Sequence, residues 1–343
     1  MAETRTSPGA DPFLTLLALT DLVTPYAIRA AVSLDIPAGI AAGARTAEAL
    51  AERNGLDRRA TANLTAFLAR KGVFAETADG LALTPVGQLL TTPQARLMLS
   101  EGGAAEHLNR AWISLAHAVR TGEAGYPTLF GRDFWDTLAN DPPLSESFDR
   151  YMDNWGTQWI PAAVAARDWA ADGHVVDVGG GAGKLLCALL AGHPALRGSV
   201  VDLQAAAGRA RATLAAAGLT DRGEALDGSF FDPLPTHGDT YVLAQVLHDW
   251  PDAQALAILR RCAQAAGPDG RVLVIERVMA EPASEAHLVS DLFMLVLFGA
   301  RERTLAEFGE LAANARLEAA GVQDIGFGLS IVELRPAGSP SRP

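Results

Sequence analysis

Val175-Val176-Asp177-Val178-Gly179-Gly180-Gly181-Ala182-Gly183-Lys184 is the stretch on which the fold of this 343-residue chain turns. Its valines read as a buried strand, and the glycines that follow read as a tight turn into a helix, where a ligand can approach the backbone closely. Three kinds of nucleotide site share that outline. A dinucleotide site asks for G-x-G-x-x-G, but counting from Gly179 the last position is Lys184. A phosphate-binding loop asks for G-x-x-x-x-G-K-[ST], and here Val178 stands at the first glycine and Leu185 at the hydroxyl. The pattern that fits is D-x-G-x-G-x-G, with Asp177 ahead of the glycines and Asp202 ending the next strand in Val200-Val201-Asp202-Leu203. A carboxylate there can accept both hydroxyls of an adenosyl ribose. The alternative is a plain strand-to-helix turn with no ligand.

Outward from this loop, strands are expected at 175–178, 199–203, 240–243 and 271–277, with helices at 184–191, 205–217 and 253–266. Such alternation implies an α/β fold, a doubly wound, Rossmann-like parallel sheet occupying 171–343. Residues 101–170 read as a helical connector rich in aromatics, among them Trp112, Phe134, Trp135, Phe148, Trp155, Trp159 and Trp169. Such flat side chains form core or line the pocket of a planar ligand.

Residues 1–100 form a separate, mainly helical unit. After a Pro/Gly-containing tail, helical periodicity runs over 13–40, with a break or kink at Pro25. Thr46 and Asp57 can cap two helices ended by Gly55 and Gly72, and strands at 73–76 and 81–84 flank the turn signal Asp79-Gly80. This is a winged-helix pattern. Its nine basic and nine acidic residues give no basic recognition face, so it reads as a packing or dimerisation module rather than a DNA reader.

The rest of the chain carries 19 basic against 31 acidic residues, for a net charge of -12, which also disfavours nucleic acid as a partner. Apolar runs such as 292–299 fall short of a bilayer span, so no membrane is expected. Glu3 and Asp11 stand before the short apolar run 13–19 and Asp21 ends it, unlike a signal peptide, and a cytoplasmic protein is expected. Cys187 and Cys262 are too few for a disulfide scaffold or a cysteine-ligated zinc.

Tyr241-Val242-Leu243-Ala244-Gln245-Val246-Leu247-His248-Asp249-Trp250-Pro251-Asp252 begins in a strand and ends in a turn enforced by Pro251. His248 therefore lies near the carboxyl end of that strand, where ligands of open α/β sheets bind. Imidazole is the side chain best suited to take a proton at neutral pH. Six other histidines show that the residue type alone decides nothing.

The glycine loop with its two aspartates resembles the S-adenosylmethionine (SAM) dependent methyltransferases. Leu-His-Asp-Trp-Pro-Asp is similar to a signature of the small-molecule O-methyltransferases typified by plant caffeate and flavonoid enzymes and bacterial antibiotic-tailoring enzymes. The likeness covers nearly the whole chain. It implies a winged-helix dimerisation domain and a homodimer. It also implies that Asp177, Gly179, Gly181, Gly183, Asp202, Leu203, Ser229, Phe230 and Gln245 contact SAM. Ser229 stands where the family has aspartate, and Ala244 where it commonly has a polar or basic residue.

By the same likeness, His248 is the base, with Glu276 of Val274-Ile275-Glu276 and Glu302 of Arg301-Glu302-Arg303-Thr304 as the acids beside it. A carboxylate on one ring nitrogen fixes the tautomer that leaves the other free to accept a proton. Trp112, Phe148, Met152, Trp155, Asp249, Met294 and Phe298 are the implied contacts of an aromatic acceptor. The reaction expected is SN2 transfer of a methyl group to a phenolic oxygen, with no metal. Some relatives have turned to hydroxylation or decarboxylation, but this chain keeps the histidine and both acids. C- or N-methylation of a similar ring and a SAM-sensing transcription regulator are the alternatives.

Overall fold

A computed structural model describes residues 11–338; the Pro/Gly-containing tail with Glu3 lies outside the described residues. The chain divides into two compact units, Met1–His107 and Leu108–Pro343. The helical segment expected as a connector over 101–170 is thus split, its greater part belonging to the second unit.

In the first unit the capping residues act as their sequence positions imply. Thr46 Oγ1 accepts from the Ala49 N–H at 3.1 Å to start helix Ala47–Asn54, which Gly55 closes at φ 67°. Asp57 Oδ1 accepts from the Ala60 N–H at 2.8 Å to start Arg58–Arg70. These helices and the hairpin of β1 (Phe74–Thr77) and β2 (Gly80–Leu83) enclose a core of Ile36, Leu50, Leu68 and Phe74. The hairpin is displaced by one residue from the expected strands: Thr77 pairs with Gly80, so Ala78 and Asp79 make the turn.

The N-terminal helical run breaks elsewhere than at Pro25. Helices Pro12–Leu19, Val23–Ser33 and Ile36–Ala41 are separated around Asp21 and Asp35. Pro25 sits in the first turn of its helix, where no intrahelical N–H is needed, and Asp21 Oδ1 accepts from the Val23 N–H at 2.9 Å. The expectation that no segment reaches a bilayer span is also corrected. By length and composition alone Pro12–Ser33, 22 residues with mean hydropathy 1.3, is long and apolar enough, although it folds as two helices, Pro12–Leu19 and Val23–Ser33, parted around Asp21. Its Asp21 and Arg29 do not lower the average enough to exclude it.

The second unit is built on a sheet of β3 (His174–Val178), β4 (Arg197–Asp202), β5 (Gly223–Asp227), β6 (Thr240–Ala244), β7 (Arg271–Met279), β8 (Arg303–Thr304), β9 (Leu317–Gly326) and β10 (Leu329–Pro336). The order is β5-β4-β3-β6-β7-β10-β9, with β8 beside β7. The first five of that order run parallel, as expected. β10 is antiparallel to β7 and to β9, so the sheet is mixed rather than purely parallel. The hairpin responsible turns through Phe327 and Gly328 at φ 58° and 75°, positive at both central residues, a geometry whose twist suits two-residue hairpins.

Alternate strand residues face opposite layers. Val175, Val200, Val242 and Leu273 pack under helices Pro142–Ala165, Lys184–Gly192 and Gln204–Ala216. Val176, Val201, Leu243 and Val274 pack under helices Asp252–Ala266 and Leu305–Asn314. The strand order reverses between β3 and β6. Their carboxyl ends flank a topological switch point, the place where open α/β sheets form a ligand crevice.

Candidate active site

The glycine loop leaves β3 at that switch point. Gly179 has φ 73°, and a Cβ there would stand 3.0 Å from Val246 Cγ2 and 3.4 Å from Phe230 Cε1. At Gly180 a Cβ would come within 2.5 Å of the Asp177 carboxylate. Asp177 thus lies beneath the loop, 1% exposed, with Oδ2 lacking a hydrogen-bond partner. Burial first, then the charge of Asp202, pushes its carboxyl up to about 7.

Asp202 closes the loop from β4. Its Oδ2 accepts from the Gly181 N–H at 2.8 Å and its Oδ1 from the Leu203 N–H at 2.7 Å. A carboxylate offers about four acceptor positions, so lone pairs remain for a diol. Burial raises its pKa, opposed by these two bonds and by Arg209. Next to it Leu203 is 59% exposed, a large apolar side chain at a strand end. Ser229 Oγ accepts from the Phe231 N–H at 3.2 Å and keeps its own proton to donate. Backbone room, diol acceptors and apolar surface together fit an adenosyl ligand.

Beyond β6, Gln245 takes φ 59°, an uncommon conformation for a side-chain-bearing residue and one that accumulates at functional sites. Its Oε1 accepts from Trp155 Nε1–H at 3.3 Å, joining two residues expected at the site. The chain then forms a short 3₁₀ turn, Leu247–Asp249, that carries His248.

His248 Nδ1 lies 3.2 Å from Glu302 Oε1 and Nε2 lies 3.5 Å from Asp249 Oδ1. A carboxylate can only accept, so Nδ1 carries a proton. Glu302 is itself held, its Oε1 accepting from Ser290 Oγ–H at 2.6 Å and its N–H donating to Asp291 Oδ1 at 2.9 Å. Glu276 differs from expectation: it reaches the backbone rather than the ring. Its Oε1 accepts from the N–H groups of Val246 and His248 at 3.1 and 3.3 Å and, between them, from that of Leu247. The reason is position, since Glu276 ends its buried run directly beneath the start of the turn.

These acids set the charge of the ring. Burial pulls the His248 pKa down, but Asp249, Glu302 and Glu276 push it up by more, so the imidazole is raised well above its ordinary value. Burial also works to raise Glu302, yet its bond and charge interaction with His248 hold it below the usual range. Glu276 is raised, by burial first. Among the described residues no group of three or more His, Cys, Asp or Glu could hold a metal ion.

Of the acceptor contacts expected, Phe148 and Phe298 meet through Phe134 and Trp135. Phe134 packs edge-on to both, at 5.1 and 5.6 Å between centroids, and Trp135 stacks on Phe298 at 5.5 Å. Trp112 stacks on Phe293 at 5.6 Å, and Met294, the next residue along that helix, is buried. Met152 is half-buried one turn beyond Phe148 on Pro142–Ala165. Phe293, Ser290 and Asp291 escaped sequence reasoning because helix Glu285–Phe298 was not expected; Ser284, which caps it, was its sequence signal.

Comparison with known proteins identifies the family. The profile of the O-methyltransferase domain matches residues 112–318. The 2,7-dihydroxy-5-methyl-1-naphthoate 7-O-methyltransferase of Streptomyces carzinostaticus is 45% identical over 93% of this chain and 96% of its own length. Aclacinomycin 10-hydroxylase RdmB of Streptomyces purpurascens is 38% identical over 95% of this chain and 91% of its own. Among solved structures, the O-methyltransferase NcsB1 from neocarzinostatin biosynthesis, in complex with S-adenosylmethionine and 2-hydroxy-5-methyl naphthoic acid, superposes with TM-score 0.88. It is 44% identical, over 94% of this chain and 98% of that one.

Proposed function

The chain belongs to the SAM-dependent O-methyltransferases, and from that premise we propose that it methylates a phenolic hydroxyl of a flat aromatic natural-product intermediate, with His248 as general base. The observation that carries this reading is the His248 ring, fixed through Nδ1 by Glu302 and presenting Nε2 beside Asp249 at the switch point. SAM, when bound, supplies an electrophilic methyl group on its sulfonium. Asp202 takes the ribose hydroxyls, Leu203 and Phe230 offer apolar surface to the adenine, and Ser229 donates to it. Gly179, Gly181 and Gly183 let the ligand approach the backbone over buried Asp177, and Gln245 borders the methionine end.

For the acceptor, Trp112, Phe148, Met152, Trp155, Met294 and Phe298 provide planar and adaptable walls that hold the ring and exclude water. Asp249 accepts a hydrogen bond from the acceptor beside His248. A phenol has a pKa of about 10, so proton transfer to an ordinary imidazole at about 6.5 is uphill by about 5 kcal/mol. Raising the ring with three carboxylates removes most of that deficit. The cost moves to the free protein, where His248 must first be neutral to accept.

The exposed Phe13, Leu14, Leu16, Leu17 and Leu19 of the first unit form an apolar surface that a second copy of the chain would cover in a cytoplasmic homodimer, and the helix break around Asp21 speaks against a single membrane span there. Arg58, Arg59 and Arg70 of helix Arg58–Arg70 and Lys71 at its end are exposed, but the unit's charge balance supports no nucleic acid partner. Retention beyond background of random duplex DNA at low salt would contradict that. The reaction is tested by mass spectrometry of products from a panel of phenols and hydroxynaphthoates with methyl-labelled SAM. Label on a phenolic oxygen is expected, and label on carbon or nitrogen, or a hydroxylated product, overturns the reading.

A further inference from the structure

Arg303 is 1% exposed, and a buried guanidinium is tolerated only where its donors are met. Its donors are spent on one small region. Nη1 donates to the Leu247 carbonyl at 2.8 Å and Nη2 to the Trp250 carbonyl at 2.9 Å. Nε and Nη2 both donate to Asp252 Oδ1, at 3.1 and 2.8 Å. Leu247 and Trp250 bracket the 3₁₀ turn that presents His248, and the Leu247 carbonyl also accepts that turn's own bond from the Trp250 N–H at 3.2 Å.

The turn is therefore gripped from two sides. Glu276 takes its N–H groups and Arg303 its carbonyls. Arg303 also follows Glu302 directly and is anchored in β8, paired with Val278 of β7. Two consecutive residues thus fix the imidazole, through Nδ1, and the backbone it stands on. A planar fork with several donors can bridge carbonyls in this way, whereas a single ammonium cannot.

We propose that Arg303 is a positioning residue for methyl transfer, its guanidinium clamping Leu247 and Trp250 so that His248 Nε2 meets the acceptor oxygen in register. The proposal rests on His248 being the base. Arg303→Lys keeps the charge and loses the fork. Misplacement of a catalytic group by about 1 Å costs about 100-fold, so kcat at pH 7 should fall by about that factor while SAM affinity is kept. A misplaced base gives a deficit that narrows toward pH 10, where the phenol ionises unaided. The double variant His248→Ala with Arg303→Lys should then be no slower than His248→Ala alone.

A second readout needs no turnover: the downfield proton resonance of His248 Nδ1–H should shift or broaden in Arg303→Lys. Should that variant fail to fold, Asp252→Asn, at a half-exposed side chain, loosens the same fork and is expected to lower kcat about tenfold. A folded variant with wild-type kcat, multiplicative losses in the double variant, or an unmoved Nδ1–H resonance overturns the proposal. Wild-type turnover by His248→Ala would instead overturn the base assignment, and the resonance would still decide whether Arg303 positions the ring.

Discussion

Replacing Asp202 with alanine removes a group that does two jobs, and the structure sets the size of the effect. Both carboxylate oxygens already accept backbone N–H groups, of Gly181 and Leu203, which shapes the loop and leaves acceptor positions for the two ribose hydroxyls. A hydrogen bond to a charged group contributes about 1.5–3 kcal/mol. Water filling the vacated space re-solvates both hydroxyls and both N–H groups, so the net loss is on the scale of one such bond rather than four. At about 1.4 kcal/mol per factor of ten, SAM should bind about 10- to 100-fold more weakly. Asp202→Asn keeps one acceptor but turns an amide donor toward a backbone donor, and should fall between alanine and wild type. Titration calorimetry with SAM and with its demethylated product gives the Kd, and a melting curve confirms the fold. An alanine variant whose Kd stays within about twofold of wild type would refute the reasoning from bonded pairs to affinity.

Two further outcomes follow from the same geometry. Asp249 is the first of the charges that raise the His248 pKa, so Asp249→Asn makes the imidazolium less favourable and the ring becomes neutral at lower pH. The rising limb of kcat/KM against pH should move toward acid by about one pH unit or more, and a limb that stays put or moves toward base would show that Asp249 does not charge the ring. For the assembly, light scattering at micromolar concentration should return twice the chain mass of 35.9 kDa, and Leu14→Glu with Leu17→Glu should return the single mass.

Much of this arrangement was legible because it is written in local chemistry. Thr46 and Asp57 start helices by side-chain capping, and the glycines after Asp177 permit a turn that other residues would strain. What escaped depends on partners distant in sequence. β5, Gly-Glu-Ala-Leu-Asp, has no β-branched or aromatic residue and is a strand only because β4 pairs with it. Phe327-Gly328 is a poor hairpin signal, since phenylalanine rarely adopts positive φ. Glu276 could be placed at a strand end, but its choice of backbone N–H over imidazole depends on where the Leu247–Asp249 turn lies above it. Arg303 stood in a quoted motif, yet nothing short of the fold tells that its neighbours are the carbonyls of Leu247 and Trp250.

The central claim is that His248 removes the acceptor's proton, and the most direct measurement is the turnover of His248→Ala across pH with SAM affinity recorded alongside. General-base assistance contributes about 10²- to 10⁴-fold, so a loss of that order is expected at pH 7 with a nearly unchanged Kd for SAM. Activity should recover in part as the pH nears about 10, where solvent ionises the phenol. Because removing the ring leaves Asp249, Glu276 and Glu302 facing one another, the variant's melting temperature must be measured first. A folded, SAM-binding His248→Ala protein that methylates a phenol at the wild-type rate at pH 7 would contradict the account.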